Sequence, residues 1–430
     1  MGRPTTISRR LLPLLLIAAT WGLMAAEPEA LASPPPSFQA LGDLPAGNIS
    51  SIGNALSISG TVVVGTSASA QGSEAFRWTQ TGGITGLGFL PGGTFLRSLA
   101  KGVSGDGTIV VGRSTSALGD NEAYRWTLAG GMVGLGDLPG GLASSQARAI
   151  STDGTVIVGQ AHSVFGGEAF RWTQSEGMVG LGDLPGGTFT SIAHAVSADG
   201  SILAGLGNSS LGQEAAMWIN DSIIGLGDLP GGTFNSLAFA ISADGSTVAG
   251  FGNSVSGTEA FVWKNGVMTG LGDLPGGIFS SKSVAVSSVG PVVVGTAETS
   301  LGTEAFIWQN GVMRNLQDVL SNDLGLDLTG WRLESARAIS AEGTIIAGVG
   351  FNPNGDKEAW LATVPPPIPC VTGDLTDDLV VDISDIDPFI AVLLDPPAAT
   401  TAQRCAADLN QDTSVDARDI EPMLTKLLAP

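Results

Sequence analysis

Short apolar bursts, broken by glycine and small polar residues, run through most of this chain in place of the 3.6-residue rhythm of helices. In the stretch 142–182 they predict four strands, at Gln146–Ser151, Thr155–Gln160, Glu168–Thr173 and Met178–Gly182, each about the usual length. Val156-Ile157-Val158 is apolar on both faces, as a strand covered from above and below requires. In Glu168-Ala169-Phe170-Arg171-Trp172 the alternation puts Phe170 and Trp172 on one side, where two rings can wedge into a neighbouring sheet. Asp153-Gly154, between the first two strands, predicts a two-residue type I′ hairpin, and Asp106-Gly107, Asp199-Gly200 and Asp244-Gly245 repeat it.

The pattern recurs at a fixed period. Leu-Gly-Asp-Leu-Pro begins at Leu41, Leu135, Leu181, Leu226 and Leu271, with a variant at Leu87 and a degenerate Leu316-Gln317-Asp318, at spacings of 45 to 48 residues. Glu-Ala falls at Glu74, Glu122, Glu168, Glu214, Glu259, Glu304 and Glu358, which makes seven copies. Four strands per copy predict an all-β fold over 33–364, a seven-bladed β-propeller of four-stranded blades. The chain enters at Phe38-Gln39-Ala40-Leu41-Gly42, equivalent to a fourth strand, and its last copy stops at a third, Glu358-Ala359-Trp360-Leu361-Ala362. The first segment can therefore complete the last blade and remove an open edge. An open β-solenoid is the alternative and would need a cap at each end. The seventh copy carries an insertion around Asp318–Trp331, read as a short helix and the place for an asymmetric surface feature.

Leu-Gly-Asp-Leu-Pro-Gly-Gly, Ala-Ile-Ser-x-Asp-Gly, Val-Val-Gly and Glu-Ala-Phe-x-Trp together resemble the HAF repeats of secreted bacterial proteins, over about 38–364. That family carries no established activity to transfer, and this chain has Glu where the family name has His.

After Pro365-Pro366-Pro367 the composition changes, so 365–369 reads as a stiff linker and 370–430 as a small α-helical tandem calcium-loop domain. Asp374–Leu394 aligns with Asp408–Leu428 at an offset of 34 residues. Calcium takes six or more oxygens, so a loop that binds it turns oxygen donors inward at alternate positions before a helix locks the last one. Asp374, Thr376, Asp378, Val380 through its carbonyl, Asp382 and Asp385 occupy loop positions 1, 3, 5, 7, 9 and 12. Asp408, Asn410, Asp412, Ser414, Asp416 and Asp419 do the same, which predicts two calcium ions. A solvated acidic surface is the alternative. Ile386, Phe389, Ile390 and Leu393 on one following helix should pack against Ile420, Met423, Leu424 and Leu427 on the other. Cys370 and Cys405 sit just ahead of the two loops. A disulfide between them would staple the halves and contribute roughly 3 to 4 kcal/mol; two free thiols are the alternative.

Asp at position 12, one helix after each loop and the duplication resemble a type I dockerin over about 372–428. The resemblance implies calcium-dependent attachment to a cohesin-like protein. Position 6 is Leu379 and Thr413 in place of the usual Gly. The pair that carries cohesin contacts, often Ser-Thr, is Ile383-Ser384 and Ala417-Arg418.

Charge and composition narrow the partners. A formal net charge of -21 repels nucleic acid and anionic lipid. Arg3, Arg9 and Arg10, an apolar run from Leu11 to about Ala26, and Ala30-Leu31-Ala32 read as a signal peptide over 1–32, an uncleaved anchor being the alternative. Arg9-Arg10 leaves Sec and twin-arginine export both open. The protein is expected outside the cell or at its surface, with no transmembrane segment in the mature chain.

Little in the sequence converges on catalysis. His162 and His194 fall at different repeat positions and read as surface residues. The repeated Glu and Asp are formally acid pairs for glycoside cleavage. A group present in every copy, however, reads as satisfying backbone, since a single active site suffices. The sequence thus describes a non-enzymatic binding or scaffold protein, its propeller meeting a glycan or protein and its C-terminal module attaching it elsewhere. A dockerin-bearing, polysaccharide-acting enzyme is the second reading.

Overall fold

The computed structural model describes residues 35–119, 121–288 and 292–366. Within 373–428 it describes 373, 375, 381, 383–396, 403, 406–409 and 415–428. The expected leader, Cys370 and Cys405 lie outside the described residues.

Residues 37–363 form seven four-stranded antiparallel sheets. In the third, Gly140–Ile150, Val156–Ser163, Gly166–Thr173 and Gly177–Gly180 lie side by side in chain order. Each sheet's first strand touches the first strand of the next, and the seventh touches the first, so the sheets are blades around an axis. The ring is closed by the two ends of the repeat region: Ser37–Ala40 pairs with Lys357–Thr363 through Phe38↔Ala362 and Ala40↔Trp360. That strand leaves no third-strand edge open in the last blade. The open solenoid is excluded.

Side chains explain the repeat. Phe170 is fully buried in a cluster that joins Val111 and Ala123 of one blade to Ala147 and Ile157 of the next, with Trp172 half-buried beside it. Each such ring contributes about 1.5–3 kcal/mol. Val-Val-Gly needs its glycine because the neighbouring strands leave no room: a Cβ on Gly65 would lie 1.9 Å from the Ile52 carbonyl oxygen and 2.8 Å from the Phe76 ring.

Across six of the seven blade interfaces runs a buried serine. Ser98 Oγ donates to the Gly88 carbonyl (2.7 Å) and accepts from the Ala75 N–H (2.9 Å) of the preceding blade. Ser51, Ser145, Ser191, Ser236 and Ser281 repeat the pair of bonds, Ser51 across the closure to Ala359. The interface after the sixth blade differs. There Gln317 accepts from Leu333 N–H (3.0 Å) and donates to the Trp331 carbonyl (2.9 Å). Gln317 lies just ahead of the expected insertion at Asp318–Trp331, whose short helix is seen as a helical turn over 316–323 capped by Asn315 and anchored by buried Leu316, Val319 and Leu320.

The Asp-Gly hairpins differ from expectation. Only Gly154 of that pair has positive φ, whereas a type I′ turn needs two such residues. Asp153 instead accepts from Ser151 Oγ (2.6 Å) and Thr155 N–H (3.0 Å), and Ser151 N–H donates to Val156 O, enclosing a four-residue loop. Paired positive φ angles occur at Asn220-Asp221, Asn265-Gly266 and Asn310-Gly311, between third and fourth strands. The carboxylate, reaching its own loop, decides against the tighter turn.

Every first strand also carries a bulge at its middle. The residues it ejects from the ladder are Asn54, Lys101, Arg148, His194, Phe239, Val284 and Arg337, and all seven are half-buried.

In the C-terminal module, helices Ile386–Leu394 and Ile420–Leu427 bury Phe389, Val392 and Met423 with Leu375, Ala407 and Leu409. The buried face is narrower than expected. Ile386, Ile390, Ile420 and Leu424 are exposed, because Phe389, Val392 and Leu393 already fill the contact at i, i+3, i+4.

Removing one serine hydroxyl leaves a donor and an acceptor buried without partners, each costing about 1–3 kcal/mol. Ser98→Ala should lower the stability of the ring by about 2–4 kcal/mol in denaturant unfolding, while Ser59→Ala, on an exposed turn, should change it by about 0.5 kcal/mol or less.

Candidate functional site

The repeated carboxylates are spent on backbone. Gly182 N–H donates to Glu168 Oε1 at 2.9 Å, and Gly88, Gly227, Gly272 and Gly42 do the same to Glu74, Glu214, Glu259 and Glu358. The side chain folds under a neighbouring glycine: a Cβ on Gly180 would lie 2.4 Å from Glu168 Oε1. Asp183 accepts from Leu184, Thr190 and Asn208 N–H, pinning the segment between blades, and Asp228 and Asp273 act alike. Glu and Asp do lie near one another. Burial, and then repulsion from Glu358, pushes the Asp43 carboxyl up; burial is also the main cause for Asp273, where backbone N–H groups oppose it. Their bonding nevertheless makes them architectural, as expected of groups present in every copy.

The pattern fails at the sixth blade, and an open groove of about 500 Å³ lies there. With no glycine at position 317, Glu304 Oε2 instead accepts from Thr299 Oγ1 (2.7 Å). Leu274, Leu301, Arg314, Gln317 and Asp318 line the groove. Of the expected insertion, Asp318 lines this groove.

The turns joining second to third strands carry exposed Leu118, Phe165, Leu211, Val255 and Leu301. These turns adjoin the inter-blade segments: Ala117 N–H donates to Pro91 O, and the Phe165 and Phe189 rings are 5.4 Å apart. The inter-blade segments add exposed Ile49, Phe95 and Ile278, and the start of the third blade's first strand adds Leu142. One rim of the ring therefore carries a series of exposed apolar tips, and such exposure marks a contact surface.

Of the twelve expected calcium ligands, Asp385, Asp408, Asp416 and Asp419 are described; the other eight lie outside the described residues. Asp385 and Asp419 are fully buried. Each turns back on its own loop, Asp385 Oδ1 accepting from Leu375 N–H at 2.7 Å and Asp419 Oδ1 from Leu409 N–H at 2.8 Å. Asp419 Oδ2 also accepts from Asp416 N–H (2.9 Å) in a reciprocal cap on the helix start. Asp416 pairs with Arg418 (2.6 Å), and the hydrogen bonds from that guanidinium hold its carboxyl below the ordinary range. Among the described residues no three carboxylates gather in one place; the expected donor set, hard carboxylate oxygens, is of the kind a hard divalent cation takes.

His194 is not on the outer surface. It occupies a first-strand bulge with Nε2 buried and unpartnered, and burial first, then Arg148 and Lys101, hold its imidazole well below the ordinary range. Sequence reasoning missed the bulge positions and the serine clasps. The aligned copies do contain a signal: a column between two small residues where Asn54, Lys101, Arg148, His194, Phe239, Val284 and Arg337 differ while the flanking residues stay small.

Residues 372–428 match the dockerin type I domain, a module for calcium-dependent attachment to cohesin. No curated protein sequence matches the chain. Similar solved structures include TolB from Acinetobacter baumannii (15% identity, TM-score 0.37), where the match covers 50% of this chain and 52% of that one, about half its length. A chain of the mitotic checkpoint complex is 13% identical (TM-score 0.45, 83% of this chain and 100% of that chain). A gluconolactonase from Xanthomonas campestris is 11% identical (TM-score 0.37, 77% and 90%). All three scores fall below 0.5, and the likenesses carry no function to this chain.

Glu168→Gln keeps an acceptor for Gly182 N–H and should leave thermal stability within a degree or two. Glu168→Ala strands that N–H and should cost about 1–3 kcal/mol, read by denaturant unfolding.

Proposed function

We propose that this is a secreted, non-enzymatic binding or scaffold protein. In this reading a signal peptide over 1–32 exports it, a ring of HAF-like repeats over 33–364 presents a ligand-binding face, and a linker over 365–369 leads to a calcium-binding docking module over 370–430. The observation that carries the reading is the dockerin match at 372–428, on which two buried loop-closing aspartates converge independently. Two calcium ions are held by Asp374, Thr376, Asp378, Val380, Asp382 and Asp385, and by Asp408, Asn410, Asp412, Ser414, Asp416 and Asp419. Cys370 and Cys405 form a disulfide that ties the two loops together.

Docking uses apolar stripes outside the module's own core. Ile386, Ile390 and Leu394 follow one another at i, i+4, i+8, and Ile420, Leu424 and Leu428 repeat them 34 residues on, all exposed. Ile383, at the position of a cohesin-contacting residue, is also exposed. These stripes favour a protein partner over a hydrated one. On the ring, the apolar rim is the surface for a glycan or protein, and the carboxylates that would serve hydrolysis are held by backbone N–H groups.

The full-length protein, immobilised, should capture a cohesin from the producing organism's envelope or medium in calcium and release it in chelator. Ile390→Asp with Leu424→Asp should abolish capture without loss of helical circular dichroism. Capture indifferent to chelator would remove the docking assignment, and polysaccharide cleavage abolished by one acidic substitution in the ring would replace the binding reading with an enzymatic one.

Chelator should also remove the helical signal of the module while leaving the thermal transition of the ring in place. An unchanged spectrum and no heat on calcium titration would sink the metal assignment.

A further inference from the structure

The seven bulge residues come together where the first strands meet around the axis. Arg337 Nη1 donates to Asn54 Oδ1 at 3.4 Å, Asn54 Nδ2 to the Ala100 carbonyl at 3.0 Å, and the His194 and Phe239 rings lie 4.7 Å apart. Going round the ring from the seventh blade to the third, these positions read Arg337, Asn54, Lys101, Arg148, and from the fourth to the sixth His194, Phe239, Val284. One arc is cationic and the opposite arc aromatic and apolar.

A protein of net charge -21 has carboxylates to spare, yet among the described residues none forms a salt bridge with Lys101, Arg148 or Arg337. Arg148 Nε, Arg337 Nε and His194 Nε2 are buried with no hydrogen-bond partner. Unpartnered buried donors and like charges held together destabilise a fold, and such groups gather where a ligand completes them. The crowding is felt: burial first, then Arg337, Arg148 and Arg113, pull the Lys101 ammonium down to about 8, and burial and Arg113 pull Arg148 down to about 10. Such a ring repels metal cations. All seven residues are half-buried and none is fully enclosed.

We propose that the central channel binds an organic anion, a carboxylate carried on a ring with an apolar face. Arg148 and Arg337 accept the carboxylate as forked donors, with Lys101 between them in charge. Phe239, itself held by stacking on Phe251 (5.7 Å, 29°), takes the apolar face. The proposal rests on the reading of the propeller as the binding half of the protein and names its ligand class; it is independent of docking.

The test is calorimetric titration and thermal melting of the mature full-length protein at constant ionic strength, run in calcium and again in chelator so that failure of docking leaves the result readable. The probes are sodium galacturonate and sodium benzoate, with glucose and sodium chloride as controls. One or both acids should bind and raise the melting temperature, and the controls should not. Galacturonate alone would point to a sugar acid, benzoate alone to an aromatic one. Arg148→Met with Arg337→Met should weaken binding at least tenfold while melting no lower than the parent, since repulsion is relieved; Phe239→Ala should weaken it without altering the charge. If the double variant does not fold, Lys101→Met carries the same comparison. Neither acid binding beyond the chloride control, glucose binding equally well, or unchanged affinity in the variants would overturn the proposal.

Discussion

At six of the seven interfaces a serine hydroxyl that donates to one blade's outgoing carbonyl and accepts from its third-strand N–H holds that blade to the next, and the ring depends on it. Sheets stacked on apolar faces have no angular preference of their own, because the hydrophobic contribution follows area and not direction. The buried serine supplies direction: both backbone groups lose water at the interface, and one rotation between blades satisfies both. Repeated at six of seven interfaces, with Ser51 working across the closure, it makes the start of the repeat region part of the same construction as its end.

The repeat divides the chain's residues by task. Glutamate, aspartate, serine and glycine at fixed repeat positions are consumed by backbone, which is why their recurrence carries no chemistry. What varies between copies is free to act, and it varies in three places: the bulge column at the channel, the tips of the rim, and the interface after the sixth blade where Gln317 replaces the glycine. A ring of near-identical blades thereby acquires a front and a side. The C-terminal module repeats the logic at smaller scale, with Asp385 and Asp419 closing duplicated loops and the apolar residues beside them divided between core and surface.

Where local sequence and structure disagree, a competing interaction is identifiable. Asp-Gly predicts a two-residue hairpin, yet Asp153 bonds Ser151 and Thr155 and enlarges the loop. Helical periodicity marks Ile386 and Ile390 as apolar but cannot say that Val392 occupies the contact instead. His194, read as surface, lies in the channel, because a bulge reverses the alternation that would have assigned its face.

The sequence by itself determined the number of blades, the strand that closes them and the duplicated acidic loops, since all three are written as periods and ligand spacings along one chain. Only the tertiary structure decided that Arg337, Lys101 and Arg148 gather at the first-strand bulges across from Phe239, and which backbone N–H each repeated carboxylate takes, Gly182 for Glu168. Lys101 and Arg148 are 47 positions apart and Lys101 and Arg337 are 236 apart; they meet only after the ring has closed, and no local pattern encodes the sign or company of charges that meet there.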